Sequence, residues 1–280
     1  MTLPRKAYGL IGYPVKHSLS PCMQNAGLRA LGLKAKYSLF EVTAQQLPEF
    51  FRSIKKNKLC GFNVTIPYKE KALAYLNSIS LAASQIGAVN TVVVGAKGLL
   101  KGFNTDYQGF MQHLKVLKVK PRKVALIGAG GGAKAVCFAL GKLRAEEVCI
   151  YDIDKFRALS LVAKFKDVFP ECKFSVVLSV EDMDIASKDL LVNASPIGMR
   201  KDDPCLLKLS QLHKNLFVYD LVYNPCETKL LNLAKIAQIQ YANGLGMLLY
   251  QGALSLRHFT NRLPPIEVMQ KALEKGARKL

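Results

Sequence analysis

Lys123-Val124-Ala125-Leu126-Ile127-Gly128-Ala129-Gly130-Gly131-Gly132-Ala133 decides the fold class. An unbroken apolar run leads into a cluster of glycines, and Val136, Phe138, Ala139 and Leu140 follow at helical spacing. A run that short and that continuous reads as a strand buried on both faces. Glycines at its end permit a tight turn and let backbone N–H groups of the loop and helix N-terminus approach a pyrophosphate. The dinucleotide fingerprint also asks for an acidic residue about twenty positions on, at the end of the next strand. Asp152 closes Val148-Cys149-Ile150-Tyr151-Asp152 in that position. A carboxylate there accepts hydrogen bonds from a ribose 2′-OH and repels a 2′-phosphate, which by itself favours NAD. Lys155 and Arg157 lie just beyond and supply positive charge, so NADP stays open. A plainer reading makes Asp152 or Asp154 the cap of a helix starting near Lys155.

Working outward, the alternation continues through residues 173–179, 189–195 and 216–223, each an apolar run separated from the next. Upstream, strand-like runs at 7–12, 36–42, 61–66 and 88–94 alternate with helix-like ones at 21–31, 45–57 and 68–76. Leu47, Phe50, Phe51 and Ile54 mark the buried stripe of one of these helices, trailed by Lys55, Lys56 and Lys58. From Gly244 the chain reads as helical. The expected fold is therefore α/β, with an N-terminal α/β substrate domain and a Rossmann-type, doubly wound parallel-sheet nucleotide domain. The expected boundaries are 1–105 plus 243–280 for the first and 106–242 for the second, with a cleft between them.

Composition narrows the function. Half of the 280 residues are hydrophobic, ample for burying two cores, and no apolar run is long enough to cross a membrane. The start carries no leader-like pattern. Seven cysteines, none in a CxxC pair, fit neither a zinc site nor a disulfide framework and suit a reducing cytoplasm. The net charge of +20 is uneven: residues 1–105 hold fourteen basic and three acidic side chains. These bases are scattered and lack any nucleic-acid signature, so the expected partner is a small anion drawn in by the field. No metal, nucleic acid or membrane is expected.

Four further stretches place polar groups where a core would not want them. In Gly12-Tyr13-Pro14-Val15-Lys16-His17-Ser18-Leu19-Ser20-Pro21, Ser20 before Pro21 reads as a helix N-cap, and His17 as a structural hydrogen-bonder. Ser18 and Ser20 together, beside a helix N-terminus, could equally bind a carboxylate. Asn63-Val64-Thr65-Ile66-Pro67-Tyr68-Lys69 ends a strand in a lysine that is either one more surface charge or a held proton donor. Ala88-Val89-Asn90-Thr91 and Gly102-Phe103-Asn104-Thr105-Asp106 follow, and Asp106 could simply cap the helix starting at Tyr107.

Taken in order, these motifs resemble those of the shikimate dehydrogenase family: GxPxxHSxSP at 12–21, NxTxPxK at 63–69, AxNT at 88–91 and GxNTD at 102–106. The glycine loop, NASPIGM at 193–199, DLVYNP at 220–225 and GLGMLLYQG at 244–252 complete the series. The resemblance implies reversible, nicotinamide-dependent reduction of 3-dehydroshikimate to shikimate, in aromatic amino-acid biosynthesis, by a monomer or homodimer. It implies that Ser18 and Ser20 hold the substrate carboxylate, with Tyr223 near that end. Thr65, Asn90, Asp106 and Gln251 would bind the ring oxygens, with Lys69 and Asp106 the catalytic pair. Gly128, Gly130 and Gly131, with Ala129 and Gly132 in the same loop, would seat the pyrophosphate. Leu221, Gly244 and Met247 would lie near the nicotinamide.

One departure bears on the cofactor. Many NADP-using members end the second nucleotide strand in an NRT-type turn whose arginine grips the 2′-phosphate; here the run is Asp152-Ile153-Asp154. The resemblance implies NADP, the residues lean towards NAD, and Arg157 matches a second family arginine. An NAD-preferring quinate or dual quinate/shikimate dehydrogenase is the alternative within enzymes. A non-catalytic ligand sensor on the same fold is the alternative outside them.

Overall fold

The computed structural model describes residues 6–54, 56 and 58–279; the expectations placed on residues 1–5 and on Lys55 lie outside the described residues. The chain divides into two compact units. One takes in the described residues up to Gly109 together with Leu248–Lys279, and the other is Phe110–Met247.

In chain order the first unit holds β1 (Lys6–Gly12), α1 (Ser20–Ala30), β2 (Ala35–Glu41), α2 (Leu47–Ser53), β3 (Leu59–Val64), β4 (Ser78–Ile79), α3 (Leu81–Ile86), β5 (Thr91–Val94) and β6 (Leu100–Phe103). The helix α4 (Asp106–Val116) begins in this unit and ends in the other. The sheet order is β2-β1-β3-β5-β6-β4. β1 pairs in parallel with both β2 and β3, whereas β5 runs antiparallel to β3 and β6. The stripe read from α2 is buried: Leu47, Phe50, Phe51 and Ile54 are all under 9 % exposed. Phe50 meets Phe62 edge-on at 5.4 Å, and Phe51 stacks on Tyr75 at 4.3 Å. Each such aromatic contributes on the order of 2–3 kcal/mol by leaving water, which fixes α2 against β3.

The helix expected over 68–76 shrinks to a 3-10 turn at Lys71–Tyr75. The Lys69 carbonyl accepts the Val89 N–H at 2.8 Å, so the backbone there is tied across the unit instead of into a helical ladder. The N-cap assigned to Ser20 is also corrected. α1 begins at Ser20 itself, no side chain caps it, and the Ser20 N–H instead donates to Ser18 Oγ at 3.2 Å. His17 is exposed and makes no hydrogen bond among the described residues, so it is not the structural bonder expected.

The second unit holds β7 (Lys123–Ile127), α5 (Gly131–Lys142), β8 (Glu147–Tyr151), α6 (Lys155–Val168), β9 (Lys173–Val176), β10 (Leu190–Asn193), β11 (Phe217–Asp220), α7 (Lys229–Ile236) and β12 (Tyr241–Ala242). Its six strands are all parallel, in the order β12-β11-β10-β7-β8-β9. Counted from β7 this is the 3-2-1-4-5-6 order of a doubly wound sheet, whose switch point between β7 and β10 opens a ligand crevice at the strand ends. The register aligns Ile127 with Tyr151 on one side and Asn193 on the other, and Asn193 with Asp220. Gly128, Asp152, Ala194 and Leu221, one residue further on, therefore emerge side by side. Short 3-10 turns at Glu181–Met183 and Ile185–Ser187 replace a helix between β9 and β10.

The last helices are α8 (Leu245–Thr260) and α9 (Ile266–Ala277); the division between units falls inside α8, and α9 packs on α1. No helix of the described residues is long and apolar enough to cross a membrane.

Candidate active site

In the first unit the segment after β3 is held at both ends. The Thr65 N–H donates to the Ile11 carbonyl at 2.9 Å, and the buried Tyr68 hydroxyl donates to the Val42 carbonyl at 2.6 Å. Lys69 lies between the buried Tyr68 and the exposed Glu70 and is itself half-buried. Its Nζ lies 2.6 Å from Asp106 Oδ2, with side-chain exposures of 16 % and 7 %. A charge-assisted bond this short, largely out of water, is strong and directional.

Asp106 does not spend its carboxylate on capping α4. Its own N–H donates to Asn104 Oδ1 at 3.0 Å, and its Oδ1 accepts from Asn90 Nδ2 at 2.8 Å. Asn90 also donates to Gln251 Oε1 at 3.1 Å. Lys69, Asn90, Asp106 and Gln251 thus converge from four segments of the fold. Ser18 is half-buried and Ser20 buried at the start of α1, and the Ser20 hydroxyl makes no hydrogen bond among the described residues. Thr65 is half-buried, its methyl carbon beside the Cα of Gly12. Behind Asn90 lies a layer the sequence motifs did not assign: Tyr37, Asn63, Thr91, Thr105 and Ser255, all buried and mutually hydrogen-bonded.

In the second unit Gly128 has φ +104°, and a Cβ there would sit 2.8 Å from the Ala194 carbonyl carbon, so only glycine fits. Gly130 is the N-cap of α5 and offers no side chain to its free N–H groups, and Gly131 and Gly132 form the first turn. The Gly128 and Ala129 N–H groups are taken by the Tyr151 carbonyl and Asp152, whereas the first turn of this twelve-residue helix has no side-chain cap and so fits a pyrophosphate. Leu221 Cδ2 lies 3.4 Å from where a Cβ on Gly132 would stand. A Cβ at Gly244 would overlap the Leu221 carbonyl, so these two residues press directly together. Met247 is buried in the first turn of α8, and Tyr223 is half-buried after β11.

Two models of one family match this chain: the shikimate dehydrogenase substrate binding domain over residues 10–92, and the shikimate 5′-dehydrogenase C-terminal domain over residues 244–274. A shikimate dehydrogenase (NADP(+)) from Methanopyrus kandleri is 39 % identical over 272 residues, covering 95 % of this chain and 93 % of that one. This chain belongs to the shikimate dehydrogenase family. Among solved structures, the Thermus thermophilus shikimate 5-dehydrogenase in complex with NADP(H) and shikimate is 35 % identical, with TM-score 0.87 over 97 % of this chain and 99 % of that one. A quinate dehydrogenase from Corynebacterium glutamicum, in complex with NAD, is 30 % identical, with TM-score 0.89 and coverage of 97 % and 99 %.

Within this shikimate dehydrogenase family member, the turn after β8 separates two roles that the sequence left open. Asp154 is the cap of α6, accepting from the Phe156 and Arg157 N–H groups. Asp152 instead braces the glycine loop: its Oδ2 accepts the Ala129 N–H at 2.6 Å and its Oδ1 accepts the Asp154 N–H at 2.9 Å. Each carboxylate oxygen keeps a second lone pair for a ribose hydroxyl. Ile153, where an NRT-type turn would carry arginine, is 95 % exposed. The Arg157 guanidinium lies 3.7 Å from where a Cβ on Gly130 would stand, which puts a cation beside the loop.

Proposed function

We propose that this chain catalyses the reversible reduction of 3-dehydroshikimate to shikimate with NADP. The observation that carries the reading is the Lys69–Asp106 pair, 2.6 Å apart and largely buried. When bound, the dinucleotide supplies or takes hydride at C4 of its nicotinamide. As the ketone is reduced, negative charge builds on its oxygen; the Lys69 ammonium stabilises that charge and delivers the proton. In the oxidative direction Lys69 takes the hydroxyl proton back. Asp106 holds the Lys69 ammonium in place, and its second oxygen is braced by Asn90.

Ser18 and Ser20 hold the ring carboxylate in this reading, with Tyr223 near that end, and Thr65, Asn90, Asp106 and Gln251 bind ring hydroxyls. The unit containing Lys69 takes the ring substrate, and Phe110–Met247 takes the dinucleotide. The loop Gly128–Gly132 seats the pyrophosphate, Asp152 and Arg157 face the adenosine ribose, and Leu221, Gly244 and Met247 line the nicotinamide end.

A second reading, an NAD-preferring quinate or dual quinate/shikimate dehydrogenase, is favoured specifically by Asp152 and by Ile153 at the arginine position. A four-way assay decides between them: shikimate and quinate, each with NADP and with NAD. The first reading expects the highest kcat/KM with shikimate and NADP. A higher value with quinate and NAD would replace it, and binding of shikimate without turnover of either dinucleotide would leave only a ligand sensor.

A further inference from the structure

The layer behind Asn90 is a cluster of buried, hydrogen-bonded groups in which Thr91, Thr105 and Ser255 also meet hydroxyl to hydroxyl. Asn63 Oδ1 accepts the Tyr37 hydroxyl proton at 2.8 Å. The Asn63 amide nitrogen therefore faces inward, 2.8 Å from Ser255 Oγ, 3.0 Å from Thr91 Oγ1 and 2.9 Å from the Asn90 carbonyl. A hydroxyl that accepts a bond has a single proton to send elsewhere. Ser255 directs its proton to the Gln251 carbonyl at 2.9 Å, and Thr91 directs its proton to Asn90 Oδ1 at 3.0 Å. The Thr105 N–H donates to the same Asn90 oxygen at 2.7 Å. With its oxygen so occupied, Asn90 turns its nitrogen to Asp106 Oδ1 at 2.8 Å and leaves Oδ2 for Lys69. The Thr105 hydroxyl closes the cluster, 3.1 Å from Ser255 Oγ and 3.2 Å from Thr91 Oγ1.

We infer that Tyr37 and Ser255 are positioning residues for the Lys69–Asp106 pair. Through Asn63 and Thr91 they hold the Asn90 amide firmly against the Asp106 carboxylate, in the orientation that the Thr105 N–H and the carboxylate require. The inference rests on the reading of Lys69 and Asp106 as the proton-transfer pair. The physical basis is that a buried polar cluster with every member paired holds its groups more tightly than the same cluster with one partner removed. Without the Tyr37 hydroxyl, Asn63 Oδ1 loses that donor, and the Asn90 carbonyl is left to hold the amide nitrogen towards Ser255 and Thr91. Asn63 is then held less firmly, and with it the Thr91 hydroxyl, one of three donors to the Asn90 oxygen beside the Thr105 hydroxyl and N–H. The Thr105 N–H remains, so catalysis should weaken and not vanish.

The test uses the full chain and the variants Tyr37→Phe, Ser255→Ala and both together. Each single variant should lower kcat for shikimate oxidation by roughly three- to tenfold with KM for shikimate within about twofold. Because both act through one chain, the double variant should be no worse than the weaker single by more than about twofold. Hydrogen exchange of the Asn90 side-chain amide, assigned by NMR with Asn90→Asp, should accelerate at least about tenfold in each variant while β1 and β3 backbone amides stay protected. Unchanged kcat, effects that multiply in the double variant, or unchanged Asn90 exchange would each overturn the inference. If the parent chain oxidises neither shikimate nor quinate with either dinucleotide, the functional reading fails, and the Asn90 exchange measurement alone decides this one.

Discussion

Replacing Lys69 by methionine separates chemistry from packing, because methionine keeps most of the aliphatic stem and removes only the ammonium. Delivery of a proton in the transition state contributes about 10²–10⁴ in rate, or roughly 3–5 kcal/mol at 1.36 kcal/mol per decade. Lys69→Met should therefore lower kcat by about 10²–10⁴, with KM for shikimate moving less than about threefold. Stability should fall as well. Removing one partner of a buried ion pair costs about 3–5 kcal/mol when the other charge is left alone. Here Asp106 keeps the Asn90 amide at 2.8 Å, and the Lys69 side chain is already 16 % exposed. A loss of about 1–3 kcal/mol is expected after that compensation. Adding Asp106→Asn to Lys69→Met removes the stranded charge, so the double variant should be more stable than Lys69→Met while remaining as inactive. Initial rates followed by absorbance of the reduced nicotinamide, together with urea titrations of all three proteins, check both halves. A variant that keeps kcat within about tenfold while KM rises sharply would make Lys69 a binder and refute the reasoning.

Three further outcomes follow from the geometry. Arg157→Ala removes the cation beside Gly130, so KM for NADP should rise at least about tenfold while KM for NAD stays within about twofold; equal shifts with both would remove Arg157 from cofactor choice. Gly128→Ala forces a side chain into a φ of +104° and against the Ala194 backbone, so it should cost about 1–3 kcal/mol in urea unfolding and weaken dinucleotide binding in a fluorescence titration. Burial beside Tyr219 lowers the His113 pKa to about 4, so the folded state holds this imidazole neutral. Its contribution is present above the ordinary histidine value near 6.5 and is lost as pH falls from there towards 4. Asp220 runs the other way: burial raises its pKa to about 6, so its contribution weakens stability as pH rises towards that value. His113→Asn isolates the first effect. Between pH 7.5 and pH 5 the variant should lose about 1 kcal/mol less stability than the parent, allowing for partial solvent screening. An identical loss in both proteins would show that His113 carries no pH linkage.

Much of the nucleotide unit was legible from residues 123–223 because its parallel strands are buried on both faces and so appear as short, continuous apolar runs. The glycine loop was legible for a different reason. A backbone at φ +104° pressed against Ala194 tolerates no Cβ, and that constraint is written directly as glycine. The expected helix over 68–76 failed because propensity and spacing cannot reveal that the Lys69 carbonyl is claimed by Val89, twenty residues away. The Ser20 cap failed similarly, since a serine before proline satisfies the local rule whether or not its hydroxyl turns back to the helix.

Taken alone, the order of residues determined the α/β class, the position of the glycine loop and the side-chain chemistry of Lys69 and Asp106, because each depends on local periodicity, local backbone freedom or residue type. Only the tertiary structure decided that Lys69 and Asp106 meet, that Asp152 braces the loop while Asp154 caps the helix, and that Tyr37 and Ser255 stand behind Asn90. Asn63 reaches Tyr37 across 26 residues and Ser255 across 192. The direction of an amide or a hydroxyl is set by neighbours that distant, which no local pattern encodes.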